Sequence, residues 1–287
     1  MEQTPQFSPI RVPIADPQDS RESEPTRAPE FRQPRNLFFR SLFIRVTGSL
    51  IIAAFLVGIW TLVARRYPPA IVPDPRLVWE RFQQAWSDGT YLPAFFTTAE
   101  EAMLGWLVAV LVAVPLGYLI GRLRALEDTL APYLASSQAM PVVAIAPLLV
   151  VWVGVGLSAK VIVAGLIAFF PILATTASGV RGVPRDLRDA ARVFGAGAAA
   201  LAVHIDLPLA ARSIFAGLKV GAALAVTGAV VGEFVGANQG LGYLVTFGST
   251  SFDTPLMFVA VISLMILGAV AYGLVGAVER ILLRWDE

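Results

Sequence analysis

The chain has 287 residues, of which 56% are hydrophobic and 15% charged, and its mean hydropathy is +0.68. Soluble domains contain about 45 to 50% apolar residues, so this composition predicts an integral membrane protein. The net charge of +1 gives no reason to expect nucleic acid as a partner. With no cysteine and one histidine, His204, the chain has neither a thiol nucleophile nor a pair of histidines, so we do not expect an enzyme.

The first forty residues are rich in Pro, Arg, Glu, Ser and Gln and contain no apolar run. A segment of this composition cannot bury enough apolar surface to fold. It also lacks the apolar core that follows the basic start of a signal peptide. We therefore expect residues 1–40 to form a disordered cytoplasmic tail and residues 41–287 to form the membrane domain.

Long apolar runs follow this tail. A transmembrane helix needs about 20 mostly apolar residues to cross about 30 Å of hydrocarbon. The sequence predicts six such spans, at about Leu42 to Ala64, Glu101 to Ile120, Pro132 to Val153, Ala159 to Val180, Ser213 to Val235 and Pro255 to Leu283. The predicted fold is an all-α integral membrane protein with six transmembrane helices.

The segment DPRLVWERFQQAW, between the first two spans, has apolar residues at helical spacing and charges on the opposite face. This pattern predicts a short helix at the membrane interface. Trp79, Trp86 and Tyr91 are residue types typical of the headgroup region. An ordinary amphipathic connector is favoured over a contact with substrate.

The positive charges in the loops also predict how the chain is oriented in the membrane. Arginines are concentrated in the N-terminal segment, in the loop between the fourth and fifth spans and near the C-terminus. Positive residues favour the cytoplasmic side, so both termini and that loop are predicted to be cytoplasmic. Arg65 and Arg66 are a local exception on the outer side.

Four glycines of the fifth span, Gly217, Gly221, Gly228 and Gly232, recur in two pairs with four-residue spacing. Small residues at this spacing allow helix backbones to approach closely. We interpret them as a tightly packed helix face, with a dimer contact as the second interpretation.

The cytoplasmic loop at about 181–212 contains RGVPRDLRDAARVFGA, which predicts a short amphipathic helix. Pro184 suits its first turn, and Gly195 suits its C-terminal cap. Its apolar face is formed by Leu187, Ala190, Ala191 and Phe194. A second helix is predicted for AGAAALAVHI, broken at Leu207 and Pro208.

This loop carries a spaced pattern that resembles the cytoplasmic EAA loop of bacterial ABC import permeases. The matching residues are Asp189, Ala190, Ala191, Gly195, Ile205, Leu207 and Pro208, with Asp in place of the usual Glu. The resemblance implies that the loop is the coupling helix, which inserts into a groove of the ATP-hydrolysing subunit.

The resemblance covers about Val72 to Trp285 and includes IVPDP, PVVAIAPLLVVWVGVG and VVGEFVGANQGLGYLV. It is to the permeases that import nitrate, sulfonates, taurine and vitamin precursors, and it implies a bundle like that of a type I ABC importer. The segment GEFVGANQGLG is closer to the branch for riboflavin and thiamine-precursor pyrimidines. The expected cargo is therefore a vitamin or its precursor, with sulfonate, taurine or nitrate as the alternative.

The resemblance implies two partner ATPase subunits, an extracytoplasmic solute-binding protein, a second permease copy in a homodimer, and the lipid of the bacterial inner membrane. No cofactor or metal is expected in this chain, and ATP belongs to the partner. A P-loop needs Gly-x4-Gly-Lys-Ser/Thr, whereas Lys160 and Lys219 are each followed by Val.

Glu233, Phe234 and Phe170 are candidates for the translocation path. Glu233 lies near the end of the fifth span, where an ionisable group is costly unless it is paired or hydrated, and it could instead anchor the helix end. A more distant alternative is an ion-coupled secondary transporter. That class predicts clustered intramembrane carboxylates, whereas Glu233 is nearly alone in the predicted spans.

Overall fold

The computed structural model describes residues 36–123, 126, 129, 132 and 141–283, and within these ranges it contains helices and no strand. The helices are α1 (Asn36–Ala64), α2 (Pro75–Ser87), α3 (Tyr91–Arg122), α4 (Val142–Val153), α5 (Leu157–Arg181), α6 (Arg185–Val193), α7 (Ala198–Leu201), α8 (Leu207–Phe234), α9 (Leu241–Thr250) and α10 (Thr254–Leu282). A π-helical turn, Ala202–Asp206, joins α7 to α8. Most of the predicted tail lies outside the described residues, so its disorder stays a prediction.

Four helical segments are long and apolar enough to cross a membrane: Tyr91–Arg122, Leu157–Arg181, Ala198–Phe234 and Thr254–Leu282. They correspond to the predicted second, fourth, fifth and sixth spans. Shorter apolar helices, Ile51–Ala64 and Val142–Val153, correspond to the first and third. Residues 133–140 of the predicted third span lie outside the described residues. The protein is therefore an all-α membrane bundle, as predicted.

The predicted break at Leu207 and Pro208 is wrong. The chain continues as one 37-residue helical segment from Ala198 to Phe234. Pro208 lies in the first turn of α8, directly after the π turn. A proline inside an α-helix lacks an N–H and clashes with the carbonyl four residues earlier. The wider π turn provides room there, so the helix continues.

A further helix, α9, lies between the predicted fifth and sixth spans, where the sequence analysis predicts no element. Leu241 and Leu244 of α9 are buried, and α9 packs against α8, α10 and α3. At 10 residues α9 is too short to cross a membrane.

The short helix predicted between the first two spans is confirmed as α2, and its place at the membrane interface stays a prediction. Asp74 caps it by accepting a hydrogen bond from the Arg76 N–H. Val78 is buried while Trp79 is exposed, and α2 packs against α10. Arg81 ties α2 to the start of α10 through a salt bridge of 2.7 Å to Asp253.

The core is formed by α3, α5 and α8, with α5 packed between the other two. Their facing positions are mostly small. Buried alanines include Ala102, Ala109 and Ala113 of α3, Ala164 and Ala168 of α5, and Ala225 and Ala229 of α8. Small residues let helix backbones approach closely, which favours dispersion contacts and interhelical hydrogen bonds in a membrane.

The glycines of α8 form the predicted packed face. A Cβ at Gly228 would lie 2.5 Å from the Ala164 Cα, and one at Gly232 would lie 3.0 Å from the Lys160 Cα. Gly217 and Gly221 face α5 in the same way, at Thr175 and Ile172. This face is occupied by α5 of the same chain, so the second interpretation, a dimer contact, is wrong for these glycines.

Replacing Gly228 by Val should therefore destabilise the protein by about 1 to 3 kcal/mol, because the added methyl groups meet the α5 backbone. The measurement is thermal unfolding of the purified protein in detergent. Gly273→Val is the matched control, because a Cβ at Gly273 of α10 has no atom within 4 Å. Equal melting temperatures of the two variants would contradict the close packing of α8 against α5.

Candidate functional site

The short amphipathic helix predicted in the loop at about 181–212 is present as α6, and it ends as expected. Gly195 follows it with φ +86°, a conformation that favours glycine. The Gly195 N–H donates to the Arg192 carbonyl at 2.9 Å. Asp189 and Ala190 are exposed, and the Asp189 carboxylate accepts a hydrogen bond from Arg192 at 2.9 Å. The first half of the EAA-like pattern is thus a surface.

Large apolar side chains project from the end of this surface. Val193 is 86% exposed and Phe194 is 91% exposed, while Leu187 on the same helix is 48% exposed. Exposed apolar residues on an otherwise charged helix are typical of a protein contact. We name Val193 and Phe194 the α6 tip.

The second half of the pattern is structural. Ile205 and Leu207 pack against a small core formed by Val180, Val183, Ala210 and Ile214. Pro208 is exposed. These contacts fix the loop to the ends of α5 and α8, so the pattern combines an exposed surface with its own anchor.

A buried carboxylate, Asp206, fastens α6 to the bundle. Its side chain is fully buried and forms a salt bridge of 2.6 Å with Arg188 of α6. From α3, Tyr118 donates to it at 3.0 Å and Arg122 lies 3.4 Å away. Arg188 also donates to the Val180 carbonyl of α5 at 2.7 Å. We name these four side chains the Asp206 cluster.

Sequence reasoning missed the Asp206 cluster. Asp206 occupies the unspecified position between Ile205 and Leu207, and Arg188 directly precedes Asp189. The available signal was a carboxylate between two apolar residues, because such a group requires a buried cation.

A basic cavity lies beside this cluster. It has a volume of about 410 Å³. Its charged lining consists of Arg122, Arg181, Arg185, Arg188, Arg192 and Asp189. Arginines outnumber carboxylates in this lining, so the cavity favours an acidic contact surface.

Asp206→Asn should destabilise the protein by about 3 to 5 kcal/mol, because it leaves two arginines beside a buried neutral amide. Asp189→Asn is the matched control: Asp189 is exposed, and the loss of a surface pair costs little. Thermal unfolding in detergent measures both. A small effect of Asp206→Asn would show that the cluster does not hold α6 in place.

A second buried group of polar side chains lies towards the other end of α3, α5 and α8. Glu101 of α3 forms a salt bridge with Lys160 of α5, with 2.6 Å between Glu101 Oε1 and Lys160 Nζ. Glu233 of α8 accepts a hydrogen bond of 2.6 Å from the Thr98 hydroxyl of α3. We name Thr98, Glu101, Lys160 and Glu233 the Glu101–Glu233 cluster.

Glu233 also caps α9. Its carboxylate accepts hydrogen bonds from the backbone N–H groups of Gly242 and Tyr243, in the first turn of that helix. A negative group at a helix N-terminus is stabilising. Gly240 precedes the helix with φ +125°, and a Cβ there or at Gly242 would meet the Glu233 carboxylate. The segment GEFVGANQGLG therefore encodes a carboxylate and the glycines that let a helix approach it.

The expectation that Glu233 is nearly alone is wrong. Glu101 and Glu233 are each 1% exposed, and Lys160, which the topology assigns to the outer side, is 9% exposed and paired with Glu101. The sequence gives no sign of this, because the three residues meet only when their helices pack.

The structure does not bring the predicted path residues together. Glu233 is directed into the chain's own core, whereas Phe234 is 47% exposed. Phe170 lies midway along α5, half-buried against Phe169. Their place in a translocation path stays a prediction.

Two other polar residues have local roles. Lys219 of α8 pairs with Glu279 of α10 at 2.6 Å, so it joins two helices of the bundle. His204 is exposed, and its Nδ1 lies 3.1 Å from the Ala200 carbonyl.

The two buried clusters are separated by about the thickness of the hydrocarbon layer. Glu101 and Arg122 lie on the same helix, and a rise of 1.5 Å per residue places them about 30 Å apart. A bundle of membrane-crossing helices thus has a buried polar cluster towards each end. At one end that cluster holds a charged helix with an apolar tip.

Comparison with known proteins identifies the family. Residues 113–284 match the family described as binding-protein-dependent transport system inner membrane component. The chain belongs to this family and is a multi-pass inner-membrane permease subunit, not an enzyme. The family assignment also argues against the alternative of an ion-coupled secondary transporter, although clustered carboxylates are present.

Individual relatives agree with this family assignment. The riboflavin transport system permease protein of Chloroflexus aurantiacus is 42% identical over 90% of this chain and 96% of its own. The formylaminopyrimidine transport permease protein of Halalkalibacterium halodurans is 33% identical, covering 81% of this chain and 93% of its own. A chain from the MetNI methionine ABC transporter, in an inward-facing conformation, has the same fold: the TM-score is 0.61 at 19% identity, covering 68% of this chain and 96% of that one.

Proposed function

We propose that this chain imports riboflavin or a thiamine-precursor pyrimidine, delivered by an extracytoplasmic binding protein. The observation that carries the proposal is the 42% identity, over nearly the full length of both chains, to a riboflavin permease. The 33% identity to a formylaminopyrimidine permease supports the same substrate class. Both cargoes are heterocycles, unlike sulfonate, taurine or nitrate, which remain the second candidate.

The permease works as a homodimer with two ATPase subunits, and α6 receives the ATPase. Support comes from the α6 tip, which exposes two large apolar side chains, and from the basic cavity beside it. Because the Asp206 cluster joins α6 to α3, α5 and α8, a push on α6 reaches all three core helices. This assignment places α6 and both termini in the cytoplasm, in agreement with the arginine distribution.

Phe194→Asp should weaken ATPase binding by about tenfold or more, because it places a charge where an apolar anchor enters a groove. Co-purification of the ATPase with the tagged permease, across a range of ATPase concentrations, measures this. Phe252→Asp is the matched control: Phe252 is 87% exposed but lies between α9 and α10, at the other end of α8 from α6. Undiminished binding by Phe194→Asp would contradict the assignment of α6.

The substrate is tested by uptake into proteoliposomes that contain the full complex, with its own binding protein supplied outside. Riboflavin, formylaminopyrimidine, taurine and nitrate are offered separately, with and without ATP inside. We expect ATP-dependent uptake of a heterocycle and none of taurine or nitrate. Uptake of taurine or nitrate alone would replace the vitamin by the second candidate.

A further inference from the structure

The Glu101–Glu233 cluster holds more acid than base. Among the described residues, α3, α5 and α8 bring Glu101, Lys160 and Glu233 to it, and α9 adds only backbone N–H groups. If both carboxyl groups were ionised, the cluster would carry one uncompensated negative charge. Glu101 and Glu233 are each 1% exposed, Lys160 is also buried, and an unpaired buried charge is costly.

Hydrogen-bond donors are distributed unequally between the two acids. Glu233 accepts from the Thr98 hydroxyl on Oε1 and from the Gly242 and Tyr243 N–H groups on Oε2. Glu101 accepts from Lys160 on Oε1, but its Oε2 is buried with no donor among the described residues. A carboxylate oxygen without a donor is unfavourable, whereas a protonated oxygen becomes a donor itself.

The two carboxyl groups share one buried site, because Glu233 bonds to Thr98, one helical turn before Glu101 on α3, and Lys160 bonds to Glu101 itself. Two carboxyl groups that share a site cannot easily both ionise, and one of them keeps a proton. We infer that Glu101 and Glu233 form a binding site for one proton, held on Glu101 Oε2 and donated to the Glu233 carboxylate. The cluster is then neutral, with Lys160 positive and Glu233 negative.

This proton has a structural consequence. It leaves Glu233 as the charged partner, so that Glu233 continues to cap α9, and it turns Glu101 Oε2 from an acceptor without a partner into a donor. The proton remains bound during ATP-driven transport, because its loss would leave the uncompensated charge in place. The site therefore differs from the carboxylates of an ion-coupled transporter, which must release what they bind.

Infrared difference spectroscopy tests the proton directly. The full chain is reconstituted in lipid with its ATPase, and the spectrum of Glu101→Gln is subtracted from that of the unmodified complex at neutral pH. We expect the carbonyl band of a protonated carboxylic acid, shifted in deuterated water. Glu279→Gln is the matched control and should show no such band, because Glu279 is paired with Lys219. Absence of the band from the Glu101→Gln difference would overturn the proposal.

The position of the proton is tested by melting the two amide variants. Glu101→Gln keeps an acceptor for Lys160 and a donor for Glu233, so the melting temperature of this variant should be unchanged. Glu233→Gln presents an amide donor to groups that are themselves donors, so the melting temperature of that variant should fall by about 4 °C or more. An equal or larger fall for Glu101→Gln would overturn the assignment to Glu101.

Solute uptake by the complex that carries Glu101→Gln tests whether the proton is retained during transport. We expect transport equal to that of the unmodified complex. Abolished uptake with an unchanged melting temperature would overturn retention and indicate that the proton moves during the cycle. Neither spectroscopy nor melting needs a transported solute, so failure of the proposed substrate would be seen separately, in the unmodified complex.

Discussion

The close approach of α3, α5 and α8 is the constraint on which the rest of the structure depends. In lipid, apolar side chains gain little from leaving one apolar medium for another, so helices associate through dispersion contacts and interhelical hydrogen bonds. Glycines at 217, 221, 228 and 232 bring the α8 backbone against α5. α3 approaches α5 just as closely, since a Cβ at Gly105 would lie 2.5 Å from the Ala164 Cβ. These two approaches let Lys160 reach Glu101, and let Asp206 reach side chains of α3 and α6. Wider spacing would leave these charges without partners inside the bundle.

The pattern of apolar and polar residues within each segment was sufficient to predict much of the fold. Runs of about 20 apolar residues predicted the long spans, and the spacing around Asp189 predicted α6 and its end at Gly195. Pattern failed where a backbone feature depended on its surroundings. Pro208 indicates a break when it is taken alone, yet the preceding π turn accommodates it. The short helix α9 depends on a carboxylate contributed by α8, so its own composition does not predict it.

The candidate site also has one part that the sequence pattern predicted and another that it did not. Residues near one another in sequence, such as Asp189 and Gly195, carry a recognisable pattern because they belong to one short helix and its end. The buried clusters join residues that are far apart in sequence: Tyr118 and Asp206 lie 88 positions apart, and Thr98 and Glu233 lie 135 apart. A single sequence shows each of these as an isolated polar residue among apolar ones. Only packing reveals the partner that makes its burial tolerable.

The continuous segment from Ala198 to Phe234 has a mechanical consequence. At 1.5 Å per residue its 37 residues extend about 55 Å, nearly twice the hydrocarbon thickness. It acts as a lever arm that begins beside α6 and ends where Glu233 holds α9. A tilt of about 10° around one end would displace the other by about 10 Å. In the proposed complex, a small rotation of the end beside α6 is thereby enlarged at the end that holds α9.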